Sequence, residues 1–447
     1  MQMFNSSRIS QISARGEKVQ NLACLLNVPL LKVCYAELEP GKAPGIDKVT
    51  KEEYGKHLDE NLAELVSRMK AGIYSPKPSR RVYIDKPGTN KKRPLGISCL
   101  EDKIVERAIA KILVAVYEPK FLDCSFGFRP GRNCHMAVST LLRHIHGLTN
   151  YVVEADIRSC FDTINHDWMI KFLEHDIADK RLIELIKRGL KAGHFEDGVY
   201  HYHTEGTMQG SGYSPVLANV YLHYTLDTWF RYLKEYATGE ARFKGVAHLV
   251  RYADDFVCCF QYKEDADKFY RGMIERFRKF GFELAPEKTR IIRFGRFAAS
   301  ETQKDHERGL TARTKPETFC FLGFEFYCSK SRKSGKFCCK VKSEGKRVRS
   351  KLQKLKAWIV EHRSDKLSEI FKHYNNVLTG YFNYYAVTCN FRSVKIFRVR
   401  VIELIFKWLN RRSQKKSYTW SQFKQMLSVF PVVEPKIKVN IYTYCGE

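Results

Sequence analysis

A pair of adjacent carboxylates between two apolar runs constrains the fold of this chain more than any other feature. The segment LVRYADDFVCCF (residues 249–260) has strand-forming, apolar residues on both sides of Asp254 and Asp255. This pattern predicts a β-hairpin with buried strands and an acidic turn. An Asp-Asp pair is most often a solvated turn, because Asp side chains hydrogen-bond to nearby backbone. A turn held between buried strands, however, is a rigid mount that suits a metal site.

A third carboxylate follows a second predicted strand. Residues 151–155 (YVVEA) form an apolar run with β propensity, and Asp156 comes directly after it. If this strand and the hairpin are neighbours in one sheet, Asp156 meets Asp254 and Asp255 at the same edge. Carboxylates so close repel one another, and bound divalent cations relieve the repulsion. Mg²⁺ takes a few carboxylates together with substrate phosphate oxygens, and paired ions serve phosphoryl transfer in polymerases and nucleases.

The charge of the chain indicates a polyanionic partner. The 447 residues include 77 Lys+Arg against 49 Asp+Glu, a formal net charge of +28, and nucleic acid is the commonest partner of such a protein. A membrane surface is the competing partner, but no apolar run approaches the roughly 20 residues of a spanning helix. The 14 cysteines form no C-x-x-C motif and no secretory signal is apparent. We therefore expect reduced thiols in a cytoplasmic protein without a membrane partner.

Basic residues concentrate in two regions. Residues 80–97 (RRVYIDKPGTNKKRPLGI) predict two strands joined by a turn, either a solvated basic face or a phosphate-binding one. Residues 330–363 hold 13 Lys/Arg and two Glu, and a helical pattern rich in Tyr, Phe and Trp follows from residue 357. An amphipathic bundle with an outer basic face would explain each helix singly. For the whole region we favour nucleic-acid binding through phosphate contacts and base stacking.

The remaining elements are assigned from periodicity and turn residues. We expect helices, strands and loops in the following ranges: helical structure over 1–40, helices over 101–121 and 263–281, a loop and helix over 126–145, a hairpin, loop and long helix over 198–230, a flexible polar loop over 296–317, and a strand pair over 319–330.

The ordered series of motifs resembles the reverse transcriptases of bacterial group II introns. The blocks are GKAPGID, RPLGI, SFGFRPGRN, QGSGYSP, RYADDF, EKT, FLGFEF, LTGYFNYY and FPVVEPKIKVNIY, and the resemblance spans about residues 20–443. It implies an α+β right-hand polymerase fold, with fingers and palm built from antiparallel sheet and helices, followed by an all-α thumb/maturase domain. The implied division is an N-terminal extension with the start of the fingers at 1–50, fingers and palm at 51–330, and a basic helical thumb/maturase domain at 331–447.

The resemblance also implies roles for individual residues. Metal binding by two Mg²⁺ ions, with Mn²⁺ as a substitute, falls to Asp156, Asp254, Asp255 and the backbone carbonyl of Ile157. The three carboxylates are then the catalytic residues. The implied nucleotide-binding residues are Lys86, Arg93, Phe161, Gln209, Gly210 and Lys288. The implied primer grip is Phe321, Leu322 and Gly323. The implied partners are an RNA template, a DNA primer, dNTPs and a group II intron RNA.

The sequence departs from the family pattern in three places. Met208-Gln209-Gly210-Ser211-Gly212 replaces the usual Pro-Gln-Gly-Gly, which puts the shape of the nucleotide pocket in question. The aromatic residue that excludes ribonucleotides should follow Asp156, and the chain offers Cys160 and then Phe161. No His/Cys-rich endonuclease motif is apparent, so the likeness is to an intron-encoded protein without that domain.

Four functions are compatible with these patterns. The first is an RNA-directed DNA polymerase of group II intron type that also binds intron RNA as a maturase in splicing and retrohoming. The second is a domesticated relative used in host defence or DNA repair. The third is an RNA-binding splicing factor with an inactive palm, which the intact acidic set disfavours. The fourth is an RNA-dependent RNA polymerase, which the group II-type blocks disfavour.

Overall fold

A computed structural model describes residues 5–85, 92–412 and 417–444. Lys86, a predicted nucleotide-binding residue, lies outside these ranges. The strands are β1 (Ser79–Asp85), β2 (Lys92–Ile97), β3 (Tyr151–Ala155), β4 (His194–Glu196), β5 (Val199–His201), β6 (Ala247–Tyr252), β7 (Asp255–Phe260), β8 (Arg290–Arg293), β9 (Phe319–Phe321), β10 (Phe324–Lys330) and β11 (Phe337–Ser343).

The helices account for most of the remaining ordered chain. They are α1 (Ser6–Ala14), α2 (Val28–Ala36), α3 (Lys51–Gly55), α4 (Leu58–Lys70), α5 (Leu100–Tyr117), α6 (Cys134–His146), α7 (His166–Asp176), α8 (Lys180–Lys191), α9 (Ser214–Leu222), α10 (Thr228–Arg231), α11 (Lys263–Lys279), α12 (Ala298–Glu307), α13 (Gly345–His362), α14 (Leu367–Tyr385), α15 (Phe391–Leu409) and α16 (Trp420–Val429). Two π-helical stretches, His223–Asp227 and Tyr232–Tyr236, flank α10 and join it to α9 in one long helical segment.

The central sheet has the strand order β6-β7-β3-β8, and its pairings are antiparallel. Both of its faces are buried. Cys258 faces a core that includes Phe269 and Phe277 of α11, whereas Cys259 faces a second core that includes Leu141 of α6. Because successive side chains alternate between two cores, β7 carries a continuous apolar run instead of an apolar-polar alternation.

The N-terminal sheet has the order β2-β1-β4-β5. β1 and β2 form the predicted antiparallel hairpin, and β1 also pairs in parallel with β4. The helix α5 lies nearby and buries most of its length, because its apolar residues continue around the helix instead of forming one stripe.

The C-terminal part combines a small sheet with a helical bundle. The sheet has the order β11-β10-β9, and the bundle, α13–α16, has a core of its own that includes Ile359, Tyr374 and Phe397. The predicted α+β class with a helical C-terminal part is confirmed. β11 was not predicted; it pairs with β10 along its full length.

The flexible loop predicted at 296–317 is wrong over Ala298–Glu307, which forms α12. Burial of Ala298 and an ion pair of 2.7 Å between Arg293 and Asp305 fix this polar helix against β8. The hairpin expected from residue 198 begins earlier, with β4 at His194. Within the described residues 5–40, helical structure is limited to α1, α2 and one short 3₁₀ turn.

The structure bears on the state of the cysteines and on membrane-spanning helices. The described cysteines are free thiols, and Cys258 and Cys259 are both buried. Among the described helices, none combines the length and apolar character needed to cross a membrane.

Candidate active site

The acidic hairpin is formed as the sequence predicts. Tyr252 of β6 pairs with Asp255 of β7, so Ala253 and Asp254 alone make the turn. Ala253 has φ 56°, a left-handed value at the first turn position, as in tight hairpin turns of type II′. The turn is therefore one of the few places where a non-glycine residue is held in a strained conformation.

The third carboxylate reaches the same edge of the central sheet. β3 lies beside β7, and Ala155 pairs with Phe256. Asp156 therefore leaves the sheet next to Asp255. The chain beyond Asp156 is fixed by further pairing, since its carbonyl accepts a hydrogen bond of 2.9 Å from the Ala285 N–H and Ile157 bridges to Leu284. The Ile157 carbonyl thus belongs to a fixed segment directly beside the carboxylates.

The electrostatics show that the three carboxylates are close together. Burial, and then the charges of Asp254 and Asp156, raise the pKa of Asp255 to about 7. A hydrogen bond of 3.3 Å from the Leu322 N–H opposes this rise. Lys288 donates to Oδ2 of Asp156 and compensates part of the negative charge. Carboxylates that converge at one sheet edge and disfavour the charged form of Asp255 are an oxygen donor set that fits a divalent cation.

The buried guanidinium of Arg251 supports the acidic turn through a hydrogen bond to its backbone. Arg251 is fully buried; its Nε donates to Asp227 at 2.8 Å and its Nη1 donates to the Ala253 carbonyl at 3.0 Å. The same Nη1 donates to Asn219 Oδ1 at 2.8 Å. Arg251 thus holds the strained turn at Ala253, and Asp227 and Asn219 hold the Arg251 guanidinium in turn. Sequence reasoning missed Arg251, although an arginine inside an apolar strand was a visible signal.

The SFGFRPGRN segment lies along the free edge of β6. The Phe126 N–H donates to the Arg251 carbonyl at 2.8 Å, and Asn219 Nδ2 donates to the Gly127 carbonyl at 2.7 Å. A Cβ at Gly127 would stand 2.4 Å from the Ala253 backbone nitrogen. Glycine is required at this position because its backbone approaches the backbone of the acidic turn directly.

The residues predicted for the nucleotide pocket are distributed around this edge. Cys160 is buried in the main core, whereas Phe161 is half-buried and its carbonyl accepts from the Thr207 N–H at 2.6 Å. Gln209 accepts a hydrogen bond of 2.7 Å from the Gly96 N–H of β2, and a Cβ at Gly210 would stand 2.4 Å from the Gly96 carbonyl oxygen. The Met208–Gly212 loop is therefore held against the N-terminal sheet despite its altered glycine spacing.

One carboxylate that was not predicted holds this loop from the other side. Glu106 of α5 accepts hydrogen bonds of 2.8 Å from both the Gly212 N–H and the Ser98 hydroxyl. Burial raises the pKa of Glu106 to about 7. Arg93 is exposed on β2, opposite Ile84 of β1.

The predicted primer grip contacts the acidic hairpin directly. Phe321 and Phe324 are paired, so Leu322 and Gly323 form a two-residue turn with φ 50° and 76°. The Leu322 N–H donates to Asp255, and the Leu322 carbonyl accepts from the Tyr384 hydroxyl of α14 at 2.7 Å. This turn therefore connects the acidic edge of the central sheet to the helical bundle.

Two known protein families match this chain. The family described as reverse transcriptase (RNA-dependent DNA polymerase) matches residues 84–326, and the group II intron maturase-specific domain matches residues 348–427. The chain belongs to the group II intron reverse transcriptases. It is an RNA-directed DNA polymerase with a maturase-specific domain.

Named relatives agree with this assignment. The group II intron-encoded protein LtrA of Lactococcus lactis subsp. cremoris is 28% identical over 83% of this chain and 71% of its own length. Protein YkfC of Escherichia coli is 35% identical over 48% of this chain and 62% of its own length. Nuclear intron maturase 2, mitochondrial, of Arabidopsis thaliana is 36% identical over 20% of this chain and 12% of its own length.

The family assignment bears on the alternatives raised from sequence. The relatives include intron-encoded proteins and a maturase, so neither a domesticated role nor an inactive palm is favoured. Reverse transcriptases use divalent metal, and this reverse transcriptase has nucleic-acid partners that include intron RNA.

Proposed function

We propose that Asp156, Asp254 and Asp255, with the Ile157 carbonyl, hold two Mg²⁺ ions at which a DNA primer is extended on an RNA template. The supporting observation is the convergence of these carboxylates at one sheet edge, with the pKa of Asp255 raised by burial and by the other two charges. When bound, the ions would activate the primer 3′-hydroxyl and stabilise the leaving pyrophosphate. Mn²⁺ would substitute, since its ligand preferences are similar.

The protein's own groups would position the reactants. Lys288, which contacts Asp156, would keep that carboxylate oriented. Arg93, exposed on β2, would contact the triphosphate of the dNTP together with Lys86. Gln209 and Gly210 would line the nucleotide pocket, because their loop lies against β2.

We assign the sugar gate to Phe161. Cys160 is 3% exposed and packs inside the main core, whereas Phe161 packs against the same core but stays half-buried, so part of its surface is open to a ligand. An aromatic ring beside the sugar would exclude a ribose 2′-hydroxyl by its volume.

Two further contacts with nucleic acid follow from the charge and position of the C-terminal elements. The Phe321–Gly323 turn would grip the primer beside Asp255.

In α13 the apolar Leu355 and Ile359 are buried while successive basic residues face solvent, which suits phosphate contacts with intron RNA. The affinity for RNA should fall steeply with salt, and a flat salt profile would contradict this maturase interface. A location in the cytoplasm, with access to both RNA and DNA, is part of this proposal.

Primer extension on a poly(rA)/oligo(dT) template with dTTP and Mg²⁺ tests the polymerase assignment. Asp254→Asn should abolish extension, because the substitution removes a ligand charge without changing side-chain volume. Asp267→Asn, on α11 outside the site, is the matched control and should extend normally. Extension by Asp254→Asn at the wild-type rate would refute the assignment of the metal site.

A further inference from the structure

The β4–β5 hairpin carries a set of ligand-type side chains that the polymerase site does not use. His194 pairs directly with His201, and Glu196 lies two residues after His194. Because side chains alternate along a strand, all three project from one face of the hairpin. One ligand atom from each lies within 4.8 Å of the other two.

We propose that His194, Glu196 and His201 bind a divalent transition-metal ion of the Zn²⁺ class. Two imidazoles and one carboxylate form a common ligand set for this ion, with the fourth tetrahedral position left to water. Mg²⁺ prefers oxygen ligands, so this site is chemically distinct from the polymerase site.

The spacing of two of the three ligand atoms fits such an ion. His194 Nε2 and Glu196 Oε2 are 3.5 Å apart. Two ligands bonded at roughly 2.0–2.1 Å to a tetrahedral ion stand about 3.4 Å from each other. As a direct ion pair, 3.5 Å is long compared with the roughly 2.7–2.9 Å of a charged hydrogen bond. The two atoms thus fit better as ligands of a shared cation than as partners of each other.

The other polar atoms of these ligands already have partners. Glu196 Oε1 accepts a hydrogen bond from the Tyr83 hydroxyl, which leaves Oε2 for the ion. His194 Nδ1 lies 2.8 Å from Nε2 of His203, which leaves Nε2 of His194 for the ion. Arg81 Nη2, which can only donate, lies farther away at 3.4 Å from the same Nδ1, so the tautomer that binds the ion is the one in which Nδ1 donates to His203. Outer partners of this kind orient metal ligands and fix the imidazole tautomer.

The position of the site gives the ion a structural role. β4 pairs with β1, while β5 pairs only with β4 among the described strands. An ion held by His194, Glu196 and His201 would fasten the outermost strand to the sheet whose opposite edge, β2, carries Arg93. We therefore expect metal binding to raise the stability of the folded protein.

Zinc titration of the full chain, with Mg²⁺ in excess, tests the proposal. Free thiols are also zinc ligands, so the comparison is between the wild type and His201→Ala, which replaces an exposed side chain. The wild type should bind one more Zn²⁺ per chain and should gain more in melting temperature at saturation. His203→Ala should weaken this one site by about 10–100-fold, because it removes the orienting partner of His194.

His57→Ala is the matched control. His57 and Glu60 form an exposed pair 3.3 Å apart, and the described residues supply no third ligand to it. This variant should keep the wild-type Zn²⁺ stoichiometry and melting shift. Equal stoichiometry and equal melting shift in the wild type and His201→Ala would overturn the proposal. The zinc titration measures stoichiometry and melting temperature, so its outcome is independent of the polymerase assignment. Primer extension without Zn²⁺ should proceed in every variant.

Discussion

Replacing Arg251 with methionine should destabilise the protein more than any other single change at the acidic edge of the central sheet. Arg251 and Asp227 are both fully buried, and their side chains form a bidentate ion pair. Removal of one partner from a buried ion pair leaves an uncompensated charge and costs about 3–5 kcal/mol of unfolding free energy. The Ala253 carbonyl and Asn219 would also lose their donor.

A double variant separates the charge from the positioning of the turn. In Arg251→Met/Asp227→Leu no charge remains buried, and replacement of both partners by apolar groups is often neutral for stability. We expect the double variant to regain at least about 2 kcal/mol over Arg251→Met, on the same grounds. Primer extension should stay low in both variants, because neither supplies a donor to the Ala253 carbonyl behind Asp254.

Urea unfolding followed by circular dichroism, together with primer extension, measures both effects. Arg276→Met is the matched control: Arg276 is half-buried and donates only to the backbone carbonyls of Thr225 and Tyr224. Its loss leaves no buried charge and should cost about 1–2 kcal/mol. The reasoning fails if Arg251→Met costs no more than Arg276→Met, or if the double variant is no more stable than Arg251→Met.

Four further substitutions test other parts of the site. Gly127→Ala should slow primer extension at least tenfold with normal binding of template, since its Cβ would stand 2.4 Å from the Ala253 nitrogen; a wild-type rate would contradict this. The raised pKa of Glu106, about 7 against an ordinary 4.5, means that the stability due to its protonated form is complete below pH 4.5 and is lost as the pH rises through 7. Glu106→Gln should therefore gain about 2–3 kcal/mol relative to wild type between pH 5 and pH 8 in urea unfolding, and parallel pH profiles would refute the shift. Phe161→Ala should incorporate UTP in place of dTTP while Cys160→Ala should not; the reverse result would move the sugar gate to Cys160.

Local patterns were sufficient to predict the acidic hairpin and the strand before Asp156. Their apolar runs are short and bounded by charged residues, so strand positions could be assigned without knowledge of the partners. The α12 helix was missed because its stability depends on a contact with Arg293, which lies outside its own sequence. β11 was missed because its seven residues lie in a strongly basic stretch of sequence, whereas its pairing with β10 is a tertiary property.

The support of the site was less predictable than its carboxylates. Arg251, Asn219 and Gly127 come from separate parts of the chain and meet only in the folded protein. Glu106 looked like one more helix residue, and nothing in the sequence around it indicates the Gly212 N–H. The spacing of His194, Glu196 and His201 is visible in the sequence, but their common face depends on the register of the hairpin.

The two-residue turn at Leu322 has a mechanical consequence. Its N–H donates to Asp255, and its carbonyl accepts from Tyr384 of the helical bundle. A rotation of the bundle away from the central sheet must therefore either break the Tyr384 contact or pull the turn away from Asp255. The turn at Leu322 thus couples the position of the helical bundle to the position of Asp255. If the bundle binds the primer-template duplex, a displacement of that duplex would shift the carboxylates proposed to hold the metal ions.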